Sequence, residues 1–198
     1  MIAIMDYGVG NLGSVLNAFK YLGYDAKITS DCDEILNASK VVLPGVGAFD
    51  NAMKCFIEKG FDKVIEKLLE KNTPILGICV GMQMLFEYSY EYGKHNGLGI
   101  LKGNIIKFDE TMDKVPQIGW NQIKVLKNNK LLEGLDNQYV YFVHSYHVDA
   151  SEYAIASTNY ANCTYPSAIN YKNIYATQFH PEKSGEVGLK ILKNFGEL

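Results

Sequence analysis

Three short stretches of this chain are apolar from end to end, and each stops at a glycine-bearing corner: "MIAIMDYG" (1–8), "KVVLPGVG" (40–47) and "TPILGICVG" (73–81). Runs of four or five apolar residues are too short for a helix and show no alternation, so they read as strands buried on both faces. Such strands belong to parallel sheets covered by helices. The intervening segments supply the covers. Leu12, Val15, Leu16, Phe19 and Leu22 recur at helical spacing and stop at Gly23, and Phe56–Glu70 reads as a further helix. "DAKIT" adds another strand.

After about Gly97 the pattern changes. "GLGILKGNIIKF", "NQIKVL", "YVYFVHSYHV", "YAIAS", "SAINY" and "IYATQF" are short, strand-like and separated by turn residues. Helical periodicity returns at Glu186–Phe195. No repeat, linker or low-complexity segment interrupts the chain, and 198 residues suit one domain, 1–198. The expected fold is α/β: a central, mostly parallel sheet flanked by helices, with an antiparallel-rich second half. Open sheets of this kind hold ligands beyond the carboxyl ends of their strands. Pro44–Gly47, Cys79 and His180–Glu182 all occupy such ends, so they are expected to meet on one edge.

Gly77-Ile78-Cys79-Val80-Gly81 has the form G-x-C-x-G, the cysteine version of a nucleophile elbow. The turn is sharp, so the residues two places either side of the cysteine need to be small. It is expected to expose the sulfur and to aim the Val80 N–H at a bound substrate. Val80–Phe86 reads as the opening turns of a helix whose N-terminus favours a thiolate. The short pattern by itself also fits a structural cysteine packed between two glycines. A thiol nucleophile needs a base and the base an orienting group, and "QFHPEKS" offers His180 and Glu182. Pro181 favours extended backbone at His180, which would turn both side chains to one side. His180 is expected to act as general base and then acid, with Glu182 holding its tautomer. The glycines around Val46 suit a peptide N–H turned toward an oxyanion. His95 reads as solvated in a polar loop, and His144 and His147 as structural histidines on or beside a strand.

Composition narrows the partners. The net charge is −3, which offers no footprint for nucleic acid or an anionic membrane. All cationic side chains are lysine, so a phosphorylated substrate would lack arginine's bidentate grip and is expected to be held by another polypeptide. Cys32, Cys55, Cys79 and Cys163 share no close spacing, which disfavours a zinc site or disulfide framework. No basic-plus-apolar leader opens the chain and no apolar run is long enough to span a bilayer. The expectation is a reduced, cytoplasmic protein without metal or cofactor.

Taken together, "DYGVGNLGSV", "LPGVGAF", "GICVGMQMLFE", "GLGILKG", "VPQIGWN", "YFVHSY" and "QFHPEKS" make the whole chain resemble the glutaminase subunits of imidazole glycerol phosphate synthase. These are class I (triad) glutamine amidotransferases with a flavodoxin-like domain. The resemblance implies a histidine-biosynthetic enzyme that hydrolyses L-glutamine to glutamate and ammonia. Cys79, His180 and Glu182 would be catalytic, with Val46, Gly47 and Val80 around the oxyanion. Gly47, Gln83, Glu91, Ser145 and Tyr146 match substrate-binding positions, Glu91 opposite the ammonium. The implied partner is a (β/α)8-barrel cyclase subunit, forming a heterodimer through Asn11, Trp120, Tyr141 and Lys183. That cyclase would use the ammonia to make imidazole glycerol phosphate and an aminoimidazole carboxamide ribotide. Gln117 departs from the family's usual histidine, beside the expected interface, and "STNYANCTYPSAI" is also less typical.

Three alternatives remain open on the sequence. Similar glutaminases supply ammonia to amidotransferases acting on surface-sugar precursors. A stand-alone cysteine hydrolase on the same type of sheet would turn over well without a partner. A non-catalytic scaffold would have no reason to keep Cys79, His180 and Glu182 together.

Overall fold

The apolar runs become the middle of an eight-stranded sheet in the computed structural model, which describes residues 1–198. The first half alternates strands and helices: β1 (Ile2–Met5), α1 (Leu12–Tyr21), β2 (Ala26–Thr29), α2 (Cys32–Leu36), β3 (Lys40–Leu43), α3 (Phe49–Glu58), α4 (Phe61–Glu70) and β4 (Ile75–Ile78). One helical turn, α5 (Val80–Gln83), follows β4. The two-residue strands β5 (Tyr88–Ser89) and β6 (His95–Asn96) precede β7 (Asn104–Lys107), β8 (Gln117–Gln122) and β9 (Lys124–Val125). Then come β10 (Tyr139–His144), β11 (Tyr146–Val148), β12 (Ala154–Tyr160), β13 (Cys163–Tyr171), β14 (Ile174–Thr177) and α6 (Gly185–Gly196).

The main sheet runs β2-β1-β3-β4-β14-β13-β12-β9. Its first five strands are parallel in the doubly wound order of flavodoxin-like folds, and β13, β12 and β9 extend it antiparallel. Two smaller sheets, β10-β8 and β11-β7-β5-β6, account for the antiparallel character of the second half. All four residues of β1 and of β4 are buried, as strands covered on both faces should be. The helices turn apolar stripes to the sheet: Phe61, Val64, Ile65 and Leu68 of α4 lie at i, i+3, i+4 and i+7 and are buried. One contiguous cluster of 53 buried residues reaches from Ile2 to Phe195, so the small sheets pack on the same core as the large one. No helix is long and apolar enough to cross a membrane.

Two helical expectations are corrected. The helix expected over 56–70 is two helices, because Gly60 adopts a left-handed conformation (φ 70°) that ends α3 and opens α4. The helix expected to run from Val80 to Phe86 closes after Gln83. One turn of helix aligns few peptide dipoles, so it supplies little of the field expected beneath Cys79.

The glycines around the corner answer to space. A Cβ on Gly81 would lie 2.0 Å from the Leu43 carbonyl oxygen, and one on Gly45 would lie 2.5 Å from the Gly81 nitrogen. The turn after β4 therefore rests directly on the backbone leaving β3. Gly81→Ala is expected to lower stability by about 2–4 kcal/mol in urea denaturation, because backbone rather than a movable side chain stands in the way. Gly13, exposed in α1 with open space around it, provides the contrast. Gly13→Ala is expected to raise stability by about 0.5–1 kcal/mol through helix propensity.

Candidate active site

Because β3, β4 and β14 are neighbours, the three segments that follow them are brought to one sheet edge. Cys79 sits at the corner with φ 54° and ψ −109°, a conformation that side-chain-bearing residues rarely adopt. Hydrogen bonds hold it there. Its N–H donates to the Thr177 carbonyl (2.8 Å), and its carbonyl accepts from Met82 N (3.0 Å) and Gln83 N (3.1 Å). The sulfur is not exposed as expected; Cys79 is buried in the wall of a pocket of about 440 Å³.

His180 and Glu182 form a buried pair on the adjacent strand end. His180 Nδ1 lies 2.8 Å from Glu182 Oε1, and their side chains are only 2% and 1% exposed. A carboxylate cannot donate, so Nδ1 carries the proton, and Nε2, enclosed without a hydrogen-bond partner, is the nitrogen left free for Cys79. The extended run expected through Glu182 is corrected: His180 is extended, but Pro181–Lys183 is a 3-10 turn, and that turn swings Glu182 back to the imidazole. β10 fastens the segment. His180 N donates to the Tyr141 carbonyl (2.9 Å), and Ser184 Oγ accepts from Tyr141 N (2.9 Å) while donating to the His180 carbonyl (2.6 Å). Burial opposes a charge on His180, but its interactions with Cys79 and Glu182 outweigh it and raise the pKa to about 10.

The pocket brings together Gly10, Asn11, Val46, Gly47, Val80, Gln83, Glu91, Ser145, Tyr146 and Lys183 around Cys79 and His180. Every expected catalytic, oxyanion and substrate residue except Glu182 therefore lines one cavity, and Glu182 stands behind His180. Gly47 is left-handed (φ 82°), and the N–H groups of Val46 and Gly47 donate to no backbone acceptor. Glu91 Oε2 accepts from Phe49 N at 2.7 Å. Burial raises its pKa, a penalty that a ligand ammonium would relieve. No group of three His, Cys, Asp or Glu side chains is arranged to hold a metal.

Trp120 and Tyr141 are paired across β8 and β10 with rings 6.2 Å apart, and Lys183 Nζ lies 5.9 Å from the Tyr141 ring. Asn11 Nδ2 is 3.4 Å from Glu182 Oε1. Asn11 and Lys183 line the pocket, and Tyr141 and Trp120 lie on the ribbon next to Lys183. Sequence reasoning missed Ile118 and Tyr139, which share the outward face of the same ribbon and are 61% and 55% exposed beside Trp120 at 56%. Period-two spacing from Trp120 and Tyr141 is the signal that could have found them.

Two further expectations change, and one residue was missed. Gln117 does not face the outer surface of the ribbon; it is buried on the inner face of β8 and accepts from the Tyr165 hydroxyl (2.8 Å). His95 is half-buried with Nε2 enclosed and unpartnered, rather than solvated. Gln178, quoted within "QFHPEKS" but given no role, is fully buried with Nε2 3.7 Å from Cys79 Sγ. His144 and His147 are structural as expected, their Nδ1 atoms donating to the carbonyls of Tyr146 (2.9 Å) and Val148 (2.8 Å), although His144 also reaches the pocket wall.

Comparison with known proteins adds the following. The family model for class-I glutamine amidotransferases matches residues 3–197. Imidazole glycerol phosphate synthase subunit HisH from Caldanaerobacter subterraneus subsp. tengcongensis is 52% identical over 201 residues, covering 100% of this chain and 98% of the relative. The HisH subunit from Methanocaldococcus jannaschii is 48% identical over 200 residues, covering 100% of both. Among solved structures, a glutamine amidotransferase at 19% identity matches in fold with a TM-score of 0.76 over 98% of each chain. A putative GMP synthase component from Thermoplasma acidophilum is 26% identical with a TM-score of 0.69, over 98% of this chain and 90% of that one.

The raised pKa of His180 has a signed consequence for stability. With a folded value of about 10 against an ordinary 6.5, its contribution is fully present below about 6.5 and is lost as pH rises through about 10. The melting-temperature gap between the wild type and His180→Gln is therefore expected to shrink from pH 6.5 to above pH 10. A gap that widens over that range would contradict the assignment.

Proposed function

This chain belongs to the class-I glutamine amidotransferase family, among the HisH subunits of imidazole glycerol phosphate synthase, and we propose that it generates ammonia from L-glutamine with a Cys79-His180-Glu182 triad and delivers it to a cyclase subunit. The observation that carries the reading is the strained Cys79 corner sharing one pocket with His180, whose Nδ1 is held by Glu182 behind it.

In this reading glutamine lies with its ammonium toward Glu91 and its carboxamide over Cys79. With no arginine in the chain, its carboxylate relies on backbone N–H groups and on the hydroxyls of Ser145 and Tyr146. The sulfur attacks the carboxamide carbon, and the C=O electron pair moves onto oxygen. Val80 N–H and an N–H from Val46–Gly47 receive that charge, an arrangement worth several kcal/mol in acyl transfer. The raised pKa lets His180 hold the proton of the Cys79 thiol while the sulfur attacks as thiolate, in keeping with the expected order of base then acid: Nε2–H then protonates the departing nitrogen as the C–N bond breaks. The neutral imidazole then takes a proton from water as the water oxygen attacks the thioester. The C–S bond breaks, glutamate leaves, and His180 is again charged. Glycine at 45 and 47 allows the Val46 peptide to turn, so the oxyanion site can be withheld until the partner is loaded.

The partner reading draws on the ribbon face. Ile118, Trp120, Tyr139 and Tyr141 form an apolar, aromatic surface beside the pocket mouth, with Lys183 and Asn11 at its edge. A phosphate-bearing substrate would bind on the partner, which fits a chain without arginine.

Purification of the native complex, followed by glutaminase assays with and without the cyclase ligand, tests this directly. Cys79→Ala is expected to reduce glutamine-dependent product formation by about a thousandfold or more while leaving synthesis from free ammonia intact. Loss of both would make Cys79 structural. Glu91→Gln is expected to raise KM for glutamine about tenfold or more with a smaller change in kcat, since it removes a ground-state contact. Trp120→Ala is expected to weaken the complex by about tenfold or more in titration calorimetry. Copurification with a sugar amidotransferase instead of a cyclase would redirect the partner assignment.

A further inference from the structure

We infer that Gln178 is a further catalytic residue, whose side-chain N–H donor holds the Cys79 sulfur and stabilises its negative charge when it attacks and when it departs. The inference rests on the reading of Cys79 as the nucleophile.

Gln178 follows β14, two residues before His180, and is wholly buried. Its Nε2 lies 3.7 Å from Cys79 Sγ, within reach for an N–H donor on a large sulfur atom. The orientation of the amide follows from its neighbours. The Tyr146 carbonyl can only accept, so the Gln83 atom 2.9 Å from it is Nε2. The second N–H of that nitrogen points at Gln178, 3.0 Å away, so the Gln178 atom there is Oε1. Nε2 of Gln178 is thereby left for the sulfur. Reversing the Gln178 amide would set two donors against each other at Gln83. A backbone carbonyl on β11, the strand that lines the pocket, thus sets the polarity of the group facing the nucleophile two side chains away.

The need for such a donor is physical. α5 is a single turn and adds little field, and the Val80 N–H points to the substrate oxyanion in the proposed chemistry. The imidazole of His180 shares the pocket with Cys79, yet its charge changes through the cycle: it gives its proton to the departing nitrogen and regains one only as water attacks. An amide does not titrate, so Gln178 donates throughout the cycle, including when the C–S bond breaks and the electron pair returns to sulfur. A hydrogen bond to a charged group is worth about ten- to a hundredfold in an equilibrium.

The test uses the full chain, alone and in its native complex. Gln178→Met keeps the length and removes the donor. Iodoacetamide labelling of Cys79, followed by peptide mass mapping across pH, is expected to be about tenfold or more slower than wild type at pH 7. The two rates should converge in strong alkali, where the sulfur is ionised without help. In the complex, kcat for glutamine is expected to fall about tenfold or more with KM within about threefold. A purely structural role would slow labelling equally at every pH, and that result, or wild-type labelling at pH 7, would overturn the inference. Should Gln178→Met fail to fold, the unsubstituted protein still decides. The Gln178 side-chain N–H resonance should move with pH in step with Cys79 labelling and lose that response in Cys79→Ala, whereas a resonance insensitive to both overturns it. A wild-type complex without glutamine turnover but with these labelling and resonance effects would count against the glutaminase reading and leave the Gln178 contact standing.

Discussion

The backbone of the corner after β4 lies against the backbone leaving β3, with no side chain between Gly81, Gly45 and Leu43. That approach holds Cys79 in a conformation it would not adopt in isolation, at φ 54°. The rest of the site inherits its geometry from it. β3, β4 and β14 are consecutive in the sheet, so placing the sulfur also places Val46 and Gly47 on one side and His180 on the other. Val46, Gly47, Cys79 and His180 line one pocket because three strands end there together.

Burial acts in opposite directions on two histidines near the pocket, and their partners explain the difference. His144 meets the Tyr146 carbonyl through Nδ1; burial disfavours its charge and lowers its pKa to about 3. His180 meets the Glu182 carboxylate and Cys79; burial is again unfavourable, but these neighbours prevail and the pKa rises to about 10. One ring is a neutral element of the wall, and the other is the one whose surroundings favour its charged form, as the proposed proton transfer needs. The difference lies in the neighbours: those of His180 can bear negative charge and those of His144 cannot.

Outside the pocket, the β8–β10 ribbon divides its residues by alternation. Gln117 turns inward to Tyr165, while Ile118 and Trp120 turn outward beside Tyr139. The substitution at 117 therefore bears on the packing beneath the ribbon and not on the aromatic face above it. Tyr141 belongs to this ribbon, and its carbonyl receives the His180 N–H, so whatever covers the ribbon touches a strand that fastens the His180 segment.

What the amino-acid sequence determined by itself is local: strands buried on both faces, the small residues around Cys79, and a histidine two residues before a carboxylate. These depend on neighbours within a few positions, which is what periodicity and spacing record. Helix limits were less legible, because Gly60 is left-handed and α5 closes after one turn for reasons of packing. The orientation of Gln178 lay wholly beyond sequence. It is set by Gln83, 95 residues away, which is itself set by a carbonyl on another sheet. Donor and acceptor roles pass through space from one polar group to the next, so only the tertiary structure could decide which atom faces the sulfur.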